Sequence, residues 1–158
     1  MAEVEYVLVE TGGAIMSRQY IERSHYLDQI RPFMGPDILK ILVGQRRVGK
    51  SYLLLQLMDN LKEWQPEHVR VYINKELREY DELRTAHDLI DYVESRSKNT
   101  EPACLLIDEI QEIVDFEKAL RHFQATGNYD VYCTGSNAQL LSGELATLLS
   151  GRYVEIKV

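Results

Sequence analysis

Residues 44–51 read Gly-Gln-Arg-Arg-Val-Gly-Lys-Ser, a complete G-x-x-x-x-G-K-[ST] spacing. Gly44 and Gly49 let the backbone turn with no Cβ in the way, so that successive N–H groups can face phosphate oxygens. Lys50 would reach the β- and γ-phosphates, and the Ser51 hydroxyl would sit on Mg²⁺. The candidate nucleotide-binding set is therefore Gly44, Gln45, Arg46, Arg47, Val48, Gly49, Lys50 and Ser51, with Tyr52 just beyond. A solvated Gly-Lys turn is the bland alternative. The flanks argue against it, because the apolar run Ile38–Val43 precedes the loop and Tyr52–Leu57 follows it. That is the strand–loop–helix setting the chemistry needs, and a helix starting at the loop adds its positive end.

A second set of residues lies downstream. Ala103-Cys104-Leu105-Leu106-Ile107-Asp108-Glu109 is an apolar run closed by two acids. So continuous a run suits a parallel strand buried on both faces, with its carboxylates at the edge where ligands bind in open α/β sheets. Asp108 is the candidate metal ligand and Glu109 the candidate general base for an attacking water. An Asp-Glu pair after a strand can also announce a helix. The glycine-rich loop upstream favours the chemical reading.

Tyr129–Thr134 reads as a further strand running into Gly135-Ser136-Asn137. Ser136, then Asn137, then Thr134 are candidates to hold the water or sense the γ-phosphate, although Ser-Asn ahead of a helix also makes a good N-cap. Arg152, between a Leu-rich helix and the closing strand Tyr153–Val158, is a candidate finger for a neighbouring subunit's γ-phosphate. Dipole or surface work is the plainer role for such an arginine.

With these elements in order, the chain resembles a P-loop ATPase of the AAA type. More narrowly it is similar to AAA domain family fourteen, prokaryotic ATPases that usually carry a further C-terminal domain. The resemblance rests on Gly44–Ser51 with its paired Arg46-Arg47, on Leu106-Ile107-Asp108-Glu109-Ile110-Gln111, on Thr134-Gly135-Ser136-Asn137-Ala138 and on Leu149-Ser150-Gly151-Arg152. It extends from about Arg18 to Val158. It implies an α/β fold, a parallel sheet flanked by helices, with the sensor strand between the P-loop strand and the Asp108 strand. It also implies ATP and Mg²⁺ as ligands, Lys50 on the phosphates, Ser51 and Asp108 on the metal, and Glu109 as base. Members continue into a second half, so a lid, any arginine it supplies and a protein or nucleic-acid partner surface are expected outside these residues.

The elements that must position these groups follow from periodicity. Helices are expected over about 20–33, 50–63, 87–96, 116–124 and 138–149, and strands over 38–43, 69–73, 103–109, 130–134 and 153–158. In the first helix Tyr20, Ile21, Leu27 and Ile30 are the apolar positions. In the last, Leu140, Leu141, Leu145, Leu148 and Leu149 share one broad face. Strand–helix alternation gives a parallel sheet. Residues 1–15 read as an appendage and 16–158 as the ATPase domain. Cys104 and Cys133 fall in strands that the implied order makes neighbours, so their thiols could lie close. Two small buried residues in a reducing cytoplasm is the simpler reading.

With 158 residues, 45% hydrophobic and 27% charged, the chain has the composition of one ordinary globular domain. The net charge of −7 argues against nonspecific nucleic-acid binding by the domain as a whole. No segment approaches the ~18 apolar residues of a membrane span. The first fifteen residues carry three glutamates and no basic residue, unlike a secretory signal, so the expected location is cytoplasmic. Asn74-Lys75-Glu76-Leu77 is a faint echo of a guanine reader, but Leu77 replaces the carboxylate and the segment precedes the acidic strand. GTP is not favoured. Tyr20, Arg23 and Tyr26 could stack on a base, though core or surface packing is the simpler role. The leading expectation is Mg²⁺-dependent ATP binding and hydrolysis, with a homo-oligomer compatible. The rivals are an ATP-binding switch with negligible turnover and a small-molecule kinase, which would want an arginine-rich lid not evident in 80–100.

Overall fold

The computed structural model describes residues 21, 23–98, 101–136, 143–149 and 151–158. Five parallel strands form one sheet in the order β2-β3-β4-β1-β5. They are β1 (Leu39–Gly44), β2 (Val69–Asn74), β3 (Ala103–Asp108), β4 (Tyr129–Ser136) and β5 (Tyr153–Lys157). The expected placement of β4 between the P-loop strand and the Asp108 strand holds. Register pairs Gly44 with Ser136 on one side and Ile107 with Cys133 on the other. Every residue of β1 and β3 is buried, which is why both read as unbroken apolar runs.

Helices cover both faces. On one face α1 (Ser24–Ile30) and α2 (Lys50–Trp64) pack Leu27, Ile30, Leu53, Leu54, Leu57 and Leu61 against Leu42, Leu106 and Tyr132. Each such leucine contributes roughly 1.5–3 kcal/mol on burial. On the other face α3 (Ala86–Ser97), α4 (Phe116–Thr126) and α5 (Gly143–Leu148) cover Ile41, Val43, Leu105, Ile107 and Val131. Thr85 and Asp88 close a reciprocal capping box at the start of α3.

Three expectations change. The first helix is shorter than the sequence suggests: its regular turns start at Ser24, Ile21 is 90% exposed, and Pro32 lies in a 3₁₀ turn over Arg31–Phe33. Pro32 has no N–H to donate, so the turn tightens instead of extending. Tyr20, with residues 1–15, lies outside the described residues, as do Leu140 and Leu141 of the last helix. Leu145 and Leu149 of that helix are buried, but Leu148 is 38% exposed. The two thiols are the third change. Cys104 packs with α1 and α2, whereas Cys133 faces the α3–α4 core, so the sheet itself separates them. Both are free and buried, and burial pushes each thiol up to about 12.

One polar cluster sits inside the sheet near the strand starts. Lys40 and Asp130 are buried and ion-paired, and Asp130 also accepts from Gly35 N (2.9 Å), Gln65 Nε2 (3.1 Å) and the Tyr132 hydroxyl (2.8 Å). Lys40 donates besides to the carbonyls of Gly35 (2.9 Å) and Ile38 (2.6 Å). With so many partners the pair escapes the penalty of a lone buried charge and ties β1, β4 and α2 in one alignment.

Candidate nucleotide site

The site forms where the sheet's C-terminal edge meets the loop between β1 and α2. Gly49 has φ +92°, a conformation that L side chains rarely adopt. Gly44 is required for a different reason: a Cβ there would lie 2.6 Å from the Val158 carbonyl oxygen, because the end of β5 runs against the loop. Arg47 takes the left-handed conformation at φ 67°, so the tight loop carries local backbone strain. Gln45, Arg46 and Val48 complete the loop. Tyr52 is 57% exposed on the first turn of α2.

Lys50 is only 5% exposed, and its ammonium donates to the carbonyls of Gly44 (3.0 Å) and Gln45 (2.9 Å). It folds back over its own loop, close to where phosphate oxygens would replace those carbonyls. The first N–H groups of α2 have no helical acceptor, so the helix presents donors and its positive end to the same point.

Asp108 ends β3 at zero exposure. One carboxylate oxygen accepts from the Thr134 hydroxyl, and the other, Oδ2, is buried with no hydrogen-bond partner. Burial holds its carboxyl above the ordinary range, while Thr134, Ser51 and Lys50 pull the other way. A buried carboxylate oxygen with nothing to bind, beside the Ser51 hydroxyl, fits a divalent cation. Among the described residues no group of three or more His, Cys, Asp or Glu gathers as a metal cage. Mg²⁺ does not need one, because it takes one or two carboxylates, substrate phosphates and water.

Glu109 follows in the left-handed conformation at φ 56°, so the chain turns sharply as it leaves β3. Its N–H donates to Thr134 Oγ1 (3.0 Å), and its Oε2 accepts from Gln111 Nε2. Thr134 thus joins both acids, although sequence reasoning placed it behind Ser136 and Asn137. Ser136 lies two residues further along the same face of β4, opposite Gly44 and half-buried. Asn137 lies outside the described residues. Sequence reasoning also missed Gln111, whose only signal was its place in the motif after Asp108-Glu109.

Arg152 stands at the other end of the sheet. It precedes Tyr153, which pairs with Leu39 at the start of β1, and its carbonyl accepts from Leu39 N (3.0 Å) and Gln124 Nε2 (2.7 Å). The five residue steps from Leu39 to Gly44 span roughly 17 Å, so Arg152 does not share its own chain's loop. It lines a groove of about 510 Å³ with Lys118, Arg121, His122 and Leu148.

Residues 37–158 match the family described as AAA domain, number fourteen of its series. An uncharacterized protein of Haemophilus influenzae is 42% identical over 146 residues, covering 90% of this chain and 36% of its own length. Another from Methanocaldococcus jannaschii is 31% identical over 123 residues, covering 78% of the chain and 26% of its own length. The chain therefore spans about a third or less of the curated relatives it matches. Among solved structures, domain III of the Thermotoga maritima replication initiation protein DnaA superposes with a TM-score of 0.54 at 20% identity. That match covers 85% of this chain and 60% of the other. No helix among the described residues is long and apolar enough to cross a membrane. With a glycine-bearing loop between β1 and α2, Asp108-Glu109 at the end of the strand beyond β4, and a family match over most of its length, the chain belongs to the AAA domain family and has its P-loop NTPase fold.

Proposed function

We propose that the domain binds ATP with Mg²⁺ and hydrolyses it. The observation that carries the reading is the buried Asp108 carboxylate, with one oxygen on Thr134 and the other unpartnered beside Ser51. A carboxylate kept dry and half-satisfied is costly to folding, and a cation supplied by the substrate complex relieves that cost. When bound, Mg²⁺ would neutralise charge on the β- and γ-phosphate oxygens.

The chain's own residues do the rest. Lys50 exchanges the Gly44 and Gln45 carbonyls for phosphate oxygens, and the loop N–H groups hold developing charge. Ser51 and Asp108 hold the metal. Glu109, fixed at its N–H by Thr134 and at its carboxylate by Gln111, accepts a proton from the attacking water. In this reading Ser136, opposite Gly44 on β4, meets that water or the γ-phosphate, with Asn137 the next candidate. Arg152, remote from its own loop, serves a neighbouring copy, so that a homo-oligomer completes the site. A protein or nucleic-acid partner would engage through the part of the longer relatives that this chain does not span.

Phosphate release from Mg-ATP tests the reading. We expect turnover in the wild-type chain, ATP binding retained by Glu109→Gln, and turnover in that variant lower by about 10²–10⁴. Full turnover in Glu109→Gln would reassign the base. Binding without turnover in the wild type would instead support a nucleotide switch.

A further inference from the structure

Arg23 lies just ahead of α1, twenty-one residues before the phosphate loop, yet its side chain ends on that loop. Its guanidinium Nη1 donates to the carbonyl oxygens of Val48 (3.0 Å) and Gly49 (3.4 Å). The same nitrogen is 3.0 Å from where a Cβ on Gly49 would sit, a close approach that any side chain at 49 would crowd. Tyr26 flanks the guanidinium at 4.9 Å, and the Arg23 backbone is anchored as well. Its N–H donates to Gln56 Oε1 (3.2 Å), and Gln56 Nε2 donates to the Ile21 carbonyl (2.7 Å). Gln56 is a nearly buried residue of α2, so the segment before α1 is tied to the helix that the loop opens.

In a trans peptide the C=O and N–H point to opposite sides. A cation on the Val48 carbonyl therefore turns the Gly49 N–H the other way and strengthens it as a donor, while the Gly49 carbonyl, which also accepts from Leu53 N (3.0 Å), is held by α2 and Arg23 together, with the Lys50 N–H facing away. The planar guanidinium reaches both carbonyls through one nitrogen, and such a charge-assisted bond is stronger than a neutral one.

We propose that Arg23 is a positioning residue of the phosphate loop: seated on the Val48 and Gly49 carbonyls, it presets the loop N–H groups for the polyphosphate of the nucleotide and couples α1 to nucleotide occupancy. This rests on the nucleotide reading above. Arg23 touches no phosphate itself and acts only through the peptide planes. By linkage, whatever steadies the loop also steadies α1.

The test uses Mg-ATP and Mg-ADP titration calorimetry on the full 158-residue chain, with hydrogen exchange over residues 24–33. Arg23→Ala is expected to weaken both nucleotides about tenfold, with a melting temperature near wild type. Nucleotide-dependent protection of α1 should disappear, and Arg23→Lys should recover part of the affinity. Affinity within twofold of wild type, or unchanged protection, overturns the proposal. Lys50→Ala separates the two claims. If Lys50→Ala binds ATP normally, the nucleotide reading fails; if it loses ATP while Arg23→Ala keeps it, only the Arg23 role fails. Should Arg23→Ala melt far below wild type, Arg23→Gln takes its place. An ATP affinity about threefold weaker is then expected, and a wild-type affinity overturns the idea.

Discussion

The Asp108 carboxylate has one oxygen on Thr134 and one without a partner, at zero exposure, so ionising it costs folding free energy. The sign follows from its raised folded-state proton affinity. Below the ordinary carboxylate range Asp108 is protonated folded and unfolded, and it imposes no charge penalty. As pH climbs through the raised folded value, the unfolded chain has already lost the proton, and stability falls. Asp108→Asn removes the charge while keeping an acceptor for Thr134. In metal-free buffer at pH 7 it should melt roughly 3 °C above wild type, and the gain should vanish near pH 3.5. Thermal scans at the two pH values check this. A variant less stable at pH 7 would show that Ser51, Thr134 and Lys50 already compensate the charge.

At the scale of elements, the junction of β1, the phosphate loop and β5 sets the tightest limits. The Val158 N–H donates to the Val43 carbonyl at 2.9 Å, and its own carbonyl occupies the space over Gly44. Backbone cannot yield as a flexible side-chain tip does. Gly44→Ala should therefore lower stability by about 1–3 kcal/mol in urea titrations, with faster exchange across β5. Strands and helices like these were largely readable in advance. Leu105, Leu106 and Ile107 could sit only in a strand buried on both faces, and Gly49-Lys50 marked a helix start. Which face each residue meets was harder to read, because that depends on sheet parity and register. Cys104 and Cys133 occupy neighbouring strands, yet a separation of twenty-nine residues across a crossover gave no hint that they face opposite cores. Thr134 was undervalued because its partners, Asp108 and Glu109, approach from another strand. For Arg23 the sequence favours core or surface packing over base stacking, since only the folded chain brings it to Val48 and Gly49.

For the whole molecule, the parallel sheet has two chemically different ends. One carries Lys50, Ser51, Asp108 and Glu109; the other carries Arg152 beside Lys118, Arg121 and His122. No fold-preserving motion brings the second end to the first within one chain, so any catalytic use of Arg152 requires another copy. Turnover should rise faster than protein concentration, and Arg152→Ala should cut the high-concentration plateau by about 10³ without altering ATP affinity. Phosphate-release rates across a dilution series decide this. Turnover strictly proportional to wild-type protein, and equal in the variant, would assign Arg152 to the groove alone. The contact of Val158 with Gly44 has a mechanical meaning too. Val158 N–H is bonded to the Val43 carbonyl, one residue before Gly44, so a pull on the backbone at Val158 would bear directly on the start of the loop between β1 and α2.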